Sequence, residues 1–376
     1  MARYIGLLGF ALALATGPGA SAQTTQPLTQ AEVLYNISKG TDTEKIEAIG
    51  NIDLLGDPEY AARLLAAAAT DDRSIPVRTA ALQQLSRFAK YGDAERAALT
   101  AAVDSAPEVR GAAIGTLGFI KTDEARGAIS SALMDKDESV RLQALRATGR
   151  QKDPAAIEKL LFAMHGANFE TRRECARALA QIGDPKTTGN FAELARDESP
   201  AIGAIAMHAL GAIGTEQAQA ILRRIIGTET VNFTVRAAAA SALGAVNNDD
   251  NIDFLIETAR SGEPEIAAGA VRGLGKCGKK VLDPLSDILK NGQTAALRRL
   301  AGQMLAGMKD PESVPEFARL ARDTAAGQEL RLDSLDWLYA ADTPAALAVL
   351  KELSQDKTPA VSAKARELLA KKQEKL

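Results

Sequence analysis

The sequence PEVRGAAIGTL at residues 107–117 decides the fold, because versions of it recur along almost the whole chain. Its opening returns as Glu138-Ser139-Val140-Arg141, and we take the arginine of each copy as the anchor of one unit. Successive anchors lie 31 to 33 residues apart, and they are Lys45, Arg78, Arg110, Arg141, Arg172, Gly203, Arg236, Ala267, Arg298, Arg331 and Ser362. So regular a spacing indicates a repeat protein of about eleven units.

Each anchor is predicted to lie on an amphipathic helix. The residue three positions after the anchor is nearly always small, as at Ala81 and Ala113. The residue seven positions after it is aliphatic, as at Leu85 and Leu117, and only Thr148 departs from this rule. These offsets share one face of a helix with 3.6 residues per turn. The small residues allow neighbouring helices to approach one another closely.

A second helix is predicted before each anchor helix. Its start is marked by an N-capping aspartate before proline, at Asp57-Pro58, Asp153-Pro154, Asp184-Pro185 and Asp310-Pro311. Gly183, Gly214 and Gly278 stand where the anchor helices should end. The first unit opens with the capping-box pattern Thr29-Gln30-Ala31-Glu32. The predicted fold is therefore all-α, with two helices in each unit from residue 29 to 376.

The pattern Asp-x-x-Pro-Glu-Val-Arg-x-x-Ala-x-x-x-Leu-Gly resembles the HEAT-repeat superfamily. It is most similar to the short HEAT-like repeats of the phycobilin-lyase type, over roughly residues 29–372. The resemblance implies a right-handed α-solenoid, in which stacking joins the apolar faces of the units into one continuous core. It implies no particular function, because this repeat serves many purposes.

Composition and the N-terminus narrow the class of protein. Aromatic residues are only 4% of the chain, so alanine-rich helices carry the packing. The net charge of −3 gives no basic field, and nucleic-acid binding is not expected. Arg3, an apolar run over residues 5–15 and Ala20-Ser21-Ala22 predict a signal peptide at 1–22, followed by a tail at 23–28. The mature protein is expected in the periplasm or secreted, with no membrane span.

The anchor arginines are interpreted as a structural ladder rather than a ligand site. Their helical position points each stem into the stack, and they are Arg78, Arg110, Arg141, Arg172, Arg236, Arg298 and Arg331. Aspartates lie six residues before several anchors, at Asp72, Asp104, Asp135, Asp197 and Asp356. Arginine–carboxylate pairs between adjacent units are expected. Gly203 and Ala267 interrupt the predicted ladder.

The opposite face of the anchor helices is the candidate binding surface. Five and nine residues after the anchors it carries mainly basic side chains, namely Arg87, Arg146, Arg150, Arg177, His208, Arg272 and Lys276, with Glu174 interrupting. The alternative interpretation of these basic residues is that they form an ordinary solvated helix face. Trp337 is either an exposed interface anchor or a residue packed near the C-terminus.

No residue set predicts catalysis, a metal or a cofactor. Cys175 and Cys277 lie at core offsets in distant units and are expected to be free thiols. His165 and His208 lack the following acid found in the HEAT-repeat di-iron hydroxylases. The leading hypothesis is an exported scaffold that binds a protein partner on its concave face. The alternatives are recognition of an anionic polymer or glycan, a spacer without a partner, and a HEAT-like lyase.

Overall fold

The computed structural model describes residues 28–374, and in that range the chain is an α-solenoid with no β-strand. The predicted signal peptide, nearly all of the predicted tail and the last two residues lie outside the described residues. The helices are α1 (Gln30–Lys39), α2 (Asp42–Gly50), α3 (Pro58–Asp71), α4 (Ile75–Leu85), α5 (Gly92–Ala101), α6 (Pro107–Leu117), α7 (Asp123–Ala132), α8 (Glu138–Gln151), α9 (Ile157–Met164), α10 (Phe169–Ile182), α11 (Thr188–Leu194), α12 (Pro200–Ile213), α13 (Glu216–Gly227), α14 (Phe233–Leu243), α15 (Asp249–Ser261), α16 (Pro264–Leu274), α17 (Leu282–Asn291), α18 (Ala295–Gly307), α19 (Val314–Arg322), α20 (Gln328–Ala341), α21 (Pro344–Leu353) and α22 (Pro359–Gln373).

Every pair of helices is one unit, and the prediction of eleven two-helix units is confirmed. We number the units 1 to 11, so that unit 4 is α7 with α8. The helix boundaries follow the local chemistry: the Asp57 side chain accepts from two backbone N–H groups of α3. Gly183 and Gly214, at φ of 69° and 66°, end α10 and α12 in the left-handed conformation.

The anchor helices form the inner layer of the solenoid. Each even-numbered helix packs against the next along the chain, whereas the odd-numbered helices contact one another less continuously. Small residues bring the anchor helices very close: a Cβ added at Gly269 of α16 would overlap the carbonyl oxygen of Ala237 on α14. Because the more closely spaced layer lies on the inside of a curved stack, the anchor helices line the concave side.

The apolar core is divided, and the expectation of one continuous core is wrong. One cluster of buried residues runs from Val33 to Ala147, and a second runs from Leu145 to Leu368. They meet in α8, where Thr148 occupies the position that is aliphatic in other units and Gln151 is also buried. The Gln151 amide nitrogen donates to the carbonyl oxygens of Leu117 (2.8 Å) and Ile120 (2.6 Å). These polar groups interrupt the apolar core at α8, where the partly buried Leu133 still packs against both clusters.

Ion pairs between consecutive units run along the edge where the anchor helices begin. Arg110 of α6 holds the carboxylate of Asp135 through Nε and Nη2, both at 2.8 Å, and its Nη1 donates to its own turn at the Asp104 oxygen. Asp135 also accepts the N–H of Asp137, which shapes the turn into α8. Arg172 holds Asp197 through the same two nitrogens. Ion pairs at equivalent positions join Lys45–Asp72, Arg78–Asp104 and Arg331–Asp356, the two arginines through Nη2 alone.

Three of the predicted ladder arginines depart from this arrangement. Arg236 contacts Glu263 at 3.1 Å, two residues away from the expected aspartate position. Arg141 and Arg298 were expected to pair, but within residues 28–374 neither has a carboxylate at ion-pair distance. Each donates to carbonyl oxygens of its own turn. The reason is local sequence, since Gly166 and Ala325 stand where the next unit would supply the aspartate.

We predict that Asp135→Asn destabilises the fold in a pH-dependent way. The Arg110 guanidinium lowers the pKa of Asp135 below its ordinary value. The pair therefore stabilises the fold fully above the unfolded-state pKa of about 3.9, and this contribution is lost as pH falls through the lower folded-state value. At pH 7 the variant should lose about 3 kcal/mol, since the side chains of Arg110 and Asp135 are only 7% and 14% exposed.

Urea unfolding across pH 3 to 7 measures this dependence. The matched control is Asp123→Asn, whose carboxylate is 91% exposed beside Arg126 and should contribute less than about 1 kcal/mol. A cost for Asp135→Asn that equals the control at pH 7, or that does not shrink in acid, would contradict the role given to this pair.

We also predict that Gly269→Ala loosens the inner layer. Its new methyl group would meet backbone atoms of Ala237, which cannot move aside as a side chain can. A loss of about 1 to 3 kcal/mol in unfolding free energy is expected. Gly127→Ala in α7 is the control, because nothing lies within 4 Å there and alanine should stabilise that helix by about 0.5 to 1 kcal/mol. Equal effects of the two changes would argue against close packing of α14 on α16.

Candidate partner-binding surface

The predicted basic residues of the inner layer fall into two groups with different surroundings. The first lies on α8 and α10, in units 4 and 5, and includes Arg146 and Arg177. The second lies on α12 and after α16, in units 6 and 8, and includes His208 and Lys276. The sequence pattern predicts one continuous basic stripe, but the two groups differ in whether their side chains form ion pairs.

Glu174 partly neutralises the first group. Its carboxylate is nearly buried and contacts Arg146 at 3.1 Å, Arg177 at 2.9 Å and Arg173 at 3.3 Å. Burial raises the pKa of Glu174, but the bonds to these arginines outweigh it and leave the pKa lowered. Glu174 therefore stays ionised at neutral pH, and these guanidinium groups are held to the protein surface rather than left free.

Arg150 is also turned towards the protein. Its Nη1 donates to the Gly115 carbonyl oxygen at 3.1 Å, and its guanidinium lies 4.9 Å from the centre of the Phe119 ring. Burial, and then the charge of Arg146, lower its pKa. Arg150 contributes to packing between α6 and α8 as much as to the charge of the inner surface.

The second group is not neutralised. We call His208, Arg272 and Lys276 the inner cluster. In the described part of the chain no carboxylate forms an ion pair with any of the three, and the Arg272 side chain has no hydrogen bond. Lys276 donates to the Ser241 carbonyl oxygen at 2.7 Å, which places it across the neighbouring helix α14.

Electrostatics shows that the inner cluster acts as one patch. Burial and then Lys276 lower the pKa of His208, so this imidazole is neutral at neutral pH. Burial lowers the pKa of Lys276, and the nearby Arg272 adds to that effect. The charges of Arg272 and Lys276 therefore lie close together without compensation, a state that an anionic partner would relieve.

The floor beside the inner cluster is made of small side chains. At the offsets that face inwards, α12 carries Ala212 and unit 7 carries Ala238, Ser241 and Ala245. The basic residues on α10 and α16 lie on either side of this stretch of small side chains. The result is a shallow surface with a basic border, open to a partner that lies along the inner layer.

Two predicted binding residues do not join this surface. Arg87 is paired with Asp53 at 2.6 Å near the N-terminal end of the solenoid. Trp337 is only 4% exposed, so its interpretation as an exposed interface anchor is wrong. The indole fills the hollow left by Gly302 on α18, and its ring lies 5.7 Å from the ring of Phe317.

Sequence reasoning missed a second surface in the outer layer. Met134 and Phe162 are 80% and 78% exposed, next to an open groove between α7 and α9. The signal was present: in α9 the buried residues are Ile157, Leu160 and Met164, and Phe162 lies off that face. A large aromatic residue outside the apolar face of a helix is the feature to look for.

Comparison with known proteins decides the family. A profile of HEAT repeats matches residues 95–165, 158–234, 228–299 and 282–370. The chain belongs to the HEAT-repeat family. No curated protein sequence matches it. Within the described residues, no helix of this HEAT-repeat chain has the length and apolar character that crossing a membrane requires.

Among the solved structures that are similar to this HEAT-repeat chain, importin beta agrees with its fold. Importin beta is 15% identical with a TM-score of 0.50, covering 90% of this chain and 54% of its own, so the chain spans about half of that protein. An engineered protein is 17% identical over 91% of this chain and 98% of its own, with a TM-score of 0.40. The complex of CpcE and CpcF of phycocyanin lyase from Nostoc sp. PCC7120 is 19% identical, and the match covers 60% of this chain and 92% of that chain with a TM-score of 0.36.

Both cysteines lie in the core, as the repeat register predicts. Cys175 is 0% exposed and Cys277 1% exposed. Burial, and then the adjacent Glu174, raise the pKa of the Cys175 thiol to about 12, and burial raises that of Cys277. We predict that a thiol reagent modifies neither in the folded protein at pH 8 and both after denaturation. Rapid modification of the native protein, or a disulfide between the two, would show that the register is wrong.

Proposed function

We propose that this HEAT-repeat protein is an exported, non-catalytic scaffold whose inner cluster holds a protein partner. The observation that carries the proposal is the uncompensated charge of Arg272 and Lys276 beside a floor of small side chains. Like charges held together on a surface cost stability, and an acidic partner would offset that cost. The signal-peptide pattern over residues 1–22 supports the proposal of export.

The surroundings of the surface favour a protein as the partner. A continuous layer of anchor helices gives a long, rigid face, and rigid backbones lower the entropy lost on binding. The floor of Ala212, Ala238 and Ala245 offers apolar contact, while the basic border fixes orientation through charge. This combination suits an acidic, partly apolar segment or face of a partner protein.

Buried thiols are consistent with binding rather than chemistry. With a pKa of about 12, the Cys175 thiol is protonated at neutral pH and is not a nucleophile. Burial and then the charge of Lys276 lower the pKa of His208, and in the described chain no carboxylate bonds to this imidazole as the orienting acid of a catalytic pair would. The partner is therefore proposed to be bound and not turned over.

The alternative function is recognition of an anionic polymer or glycan by the same cluster. The lack of a paired carboxylate around His208, Arg272 and Lys276 in the described chain is the observation that favours it. Binding of a polyanion should weaken steeply as salt rises, because it rests on charge alone. A protein interface with apolar contacts should retain most of its affinity.

Site-specific crosslinking tests which face is used. A photo-crosslinking residue placed at Ala212, exposed on the inner side of α12, should give a discrete adduct with an envelope protein of the native host. The same residue placed at Ala220, exposed on α13 of the outer layer, is the matched control and should not give that adduct. Mass spectrometry identifies the adduct and its crosslinked segment.

Charge reversal then tests the inner cluster. Arg272→Glu should reduce the Ala212 adduct about tenfold, while Arg224→Glu, at an exposed cation of α13, should leave it unchanged. Both variants should fold, because an exposed substitution changes stability by about 0.5 kcal/mol. Loss of the adduct above 0.5 M salt together with binding of a polyanion would favour the alternative, and an adduct that survives Arg272→Glu would exclude the inner cluster.

A further inference from the structure

An open groove lies in the outer layer between α7 and α9, where the two apolar clusters meet. Its main cavity has a volume of about 540 Å³, within the usual range of ligand sites, and is lined by Leu133, Met134, Arg141, Leu145, Phe162 and Ala163. A second cavity of about 500 Å³ adjoins it and shares Arg141, Phe162 and Ala163. Together they form one open groove.

The rim of this groove is unusually apolar for a surface. Met134 and Phe162 are 80% and 78% exposed, one on each side. Two large apolar side chains that flank a cavity mark an interaction surface more often than two isolated ones do. Between them the groove reaches down to Leu145, which belongs to the buried core.

Arg141 brings an unused binding edge into the groove. In the flanking units, Arg110 and Arg172 hold an aspartate of the next unit through Nε and Nη2. Arg141 bonds to its own turn through Nη1, as Arg110 does, but its Nε and Nη2 have no protein acceptor within residues 28–374. The missing acceptor is the aspartate that Gly166 replaces.

A backbone donor beside Arg141 is unused as well. In each paired unit the ladder aspartate also accepts the N–H two residues later, as Asp135 does from Asp137 and Asp197 from Ser199. The equivalent donor here is the N–H of Asn168, which bonds to no acceptor in the described chain. Arg141 and Asn168 line the same cavity. The two kinds of donor that hold the ladder carboxylate in the paired units therefore both border this cavity without a protein acceptor in the described chain.

We propose that this groove binds an acidic peptide segment of a partner protein. Its carboxylate would take the place of the missing ladder aspartate, between Arg141 and the Asn168 N–H. A neighbouring aromatic or aliphatic side chain would pack between Met134 and Phe162. This site opens between the outer helices α7 and α9, reaches α8 beneath them, and shares no residue with the inner cluster.

Charge complementarity supports an anionic occupant. Arg141, Glu158 and Lys159 line the main cavity and together carry a net charge of +1, and Lys159 Nζ donates to the Ser130 hydroxyl at 2.6 Å. Glu138 borders the second cavity, and its carboxylate accepts a hydrogen bond from the Asn168 side chain at 2.7 Å. The main cavity is therefore net positive, and Arg141 offers it the Nε and Nη2 edge that carboxylates prefer.

Fluorescence anisotropy with defined peptides tests the proposal. The probes are acetylated, amidated heptapeptides with a central aspartate, flanked on each side by all combinations of phenylalanine, leucine, isoleucine and alanine. A twin panel carries asparagine at the centre. At least one aspartate peptide with apolar flanks should bind about tenfold more tightly than its asparagine twin, the gain expected for a charge-assisted hydrogen bond.

Matched variants locate the binding. Arg141→Gln should remove the preference for aspartate, while Arg298→Gln should keep it, because Arg298 is also unpaired but borders none of the cavities described here. Phe162→Ala should weaken binding about tenfold, whereas Phe233→Ala, exposed on α14, should not. The inner-cluster variant Arg272→Glu should bind the peptides as the wild type does.

Three results would overturn the proposal. They are the absence of any peptide that binds more tightly than about 1 mM, equal binding of the aspartate and asparagine panels, and an Arg141→Gln variant that folds and binds like the wild type. A melting temperature for each variant separates loss of binding from loss of fold. Failure here leaves the inner cluster untouched, since Arg272→Glu tests that surface by itself.

Discussion

The bond from the anchor cation of one unit to the aspartate of the next sets the geometry of every junction that carries it. A two-helix unit cannot bury its apolar face alone, so its neighbour must lie at a fixed distance and rotation. The bidentate contact of Arg110 with Asp135 fixes both, because a planar guanidinium admits a narrow range of carboxylate positions. The same carboxylate also shapes the turn that starts the next anchor helix. One carboxylate therefore sets both the position of the next unit and the shape of the turn that leads into it.

Close packing of the inner layer works together with this ladder. Glycine at positions such as 244 and 269 lets the anchor helices of units 7 and 8 approach almost to backbone contact. Gly203 is the anchor of unit 6 and Ala267 that of unit 8, so in the described chain no ladder pair joins unit 6 to unit 7 or unit 8 to unit 9, whereas Arg236 and Glu263 join units 7 and 8. Close packing, such as that of Gly211 on α12 against Ala242 on α14, holds units 6 and 7 together without such a pair. It leaves small side chains on the inner surface, which is the floor beside the inner cluster.

The sequence predicts architecture well and surface chemistry poorly, for a physical reason. Local rules can be read from a single sequence, and they determine the repeat period, the caps at Asp57 and Gly183 and the core position of Cys175. The state of a charged side chain depends on what the next unit places opposite it. Arg146 and Arg272 occupy the same offset, yet only Arg146 meets Glu174. The exposure of Trp337 cannot be predicted from its own unit for the same reason, because the space that its indole fills is left by Gly302 of another unit.

In unit 4 and the turn that follows it, the sequence departs from the repeat pattern at several neighbouring positions. Thr148 and Gln151 bring polar groups into the core of α8, and the two apolar clusters divide there. The next turn carries Gly166 instead of aspartate, so Arg141 loses its partner at the same junction. Gln151 bonds back to carbonyl oxygens of unit 3, whereas the change at Gly166 removes the ion pair that would join unit 4 to unit 5. The groove between α7 and α9 opens at this junction. A repeat protein can thus acquire a binding site by omitting a structural carboxylate and leaving its arginine in place.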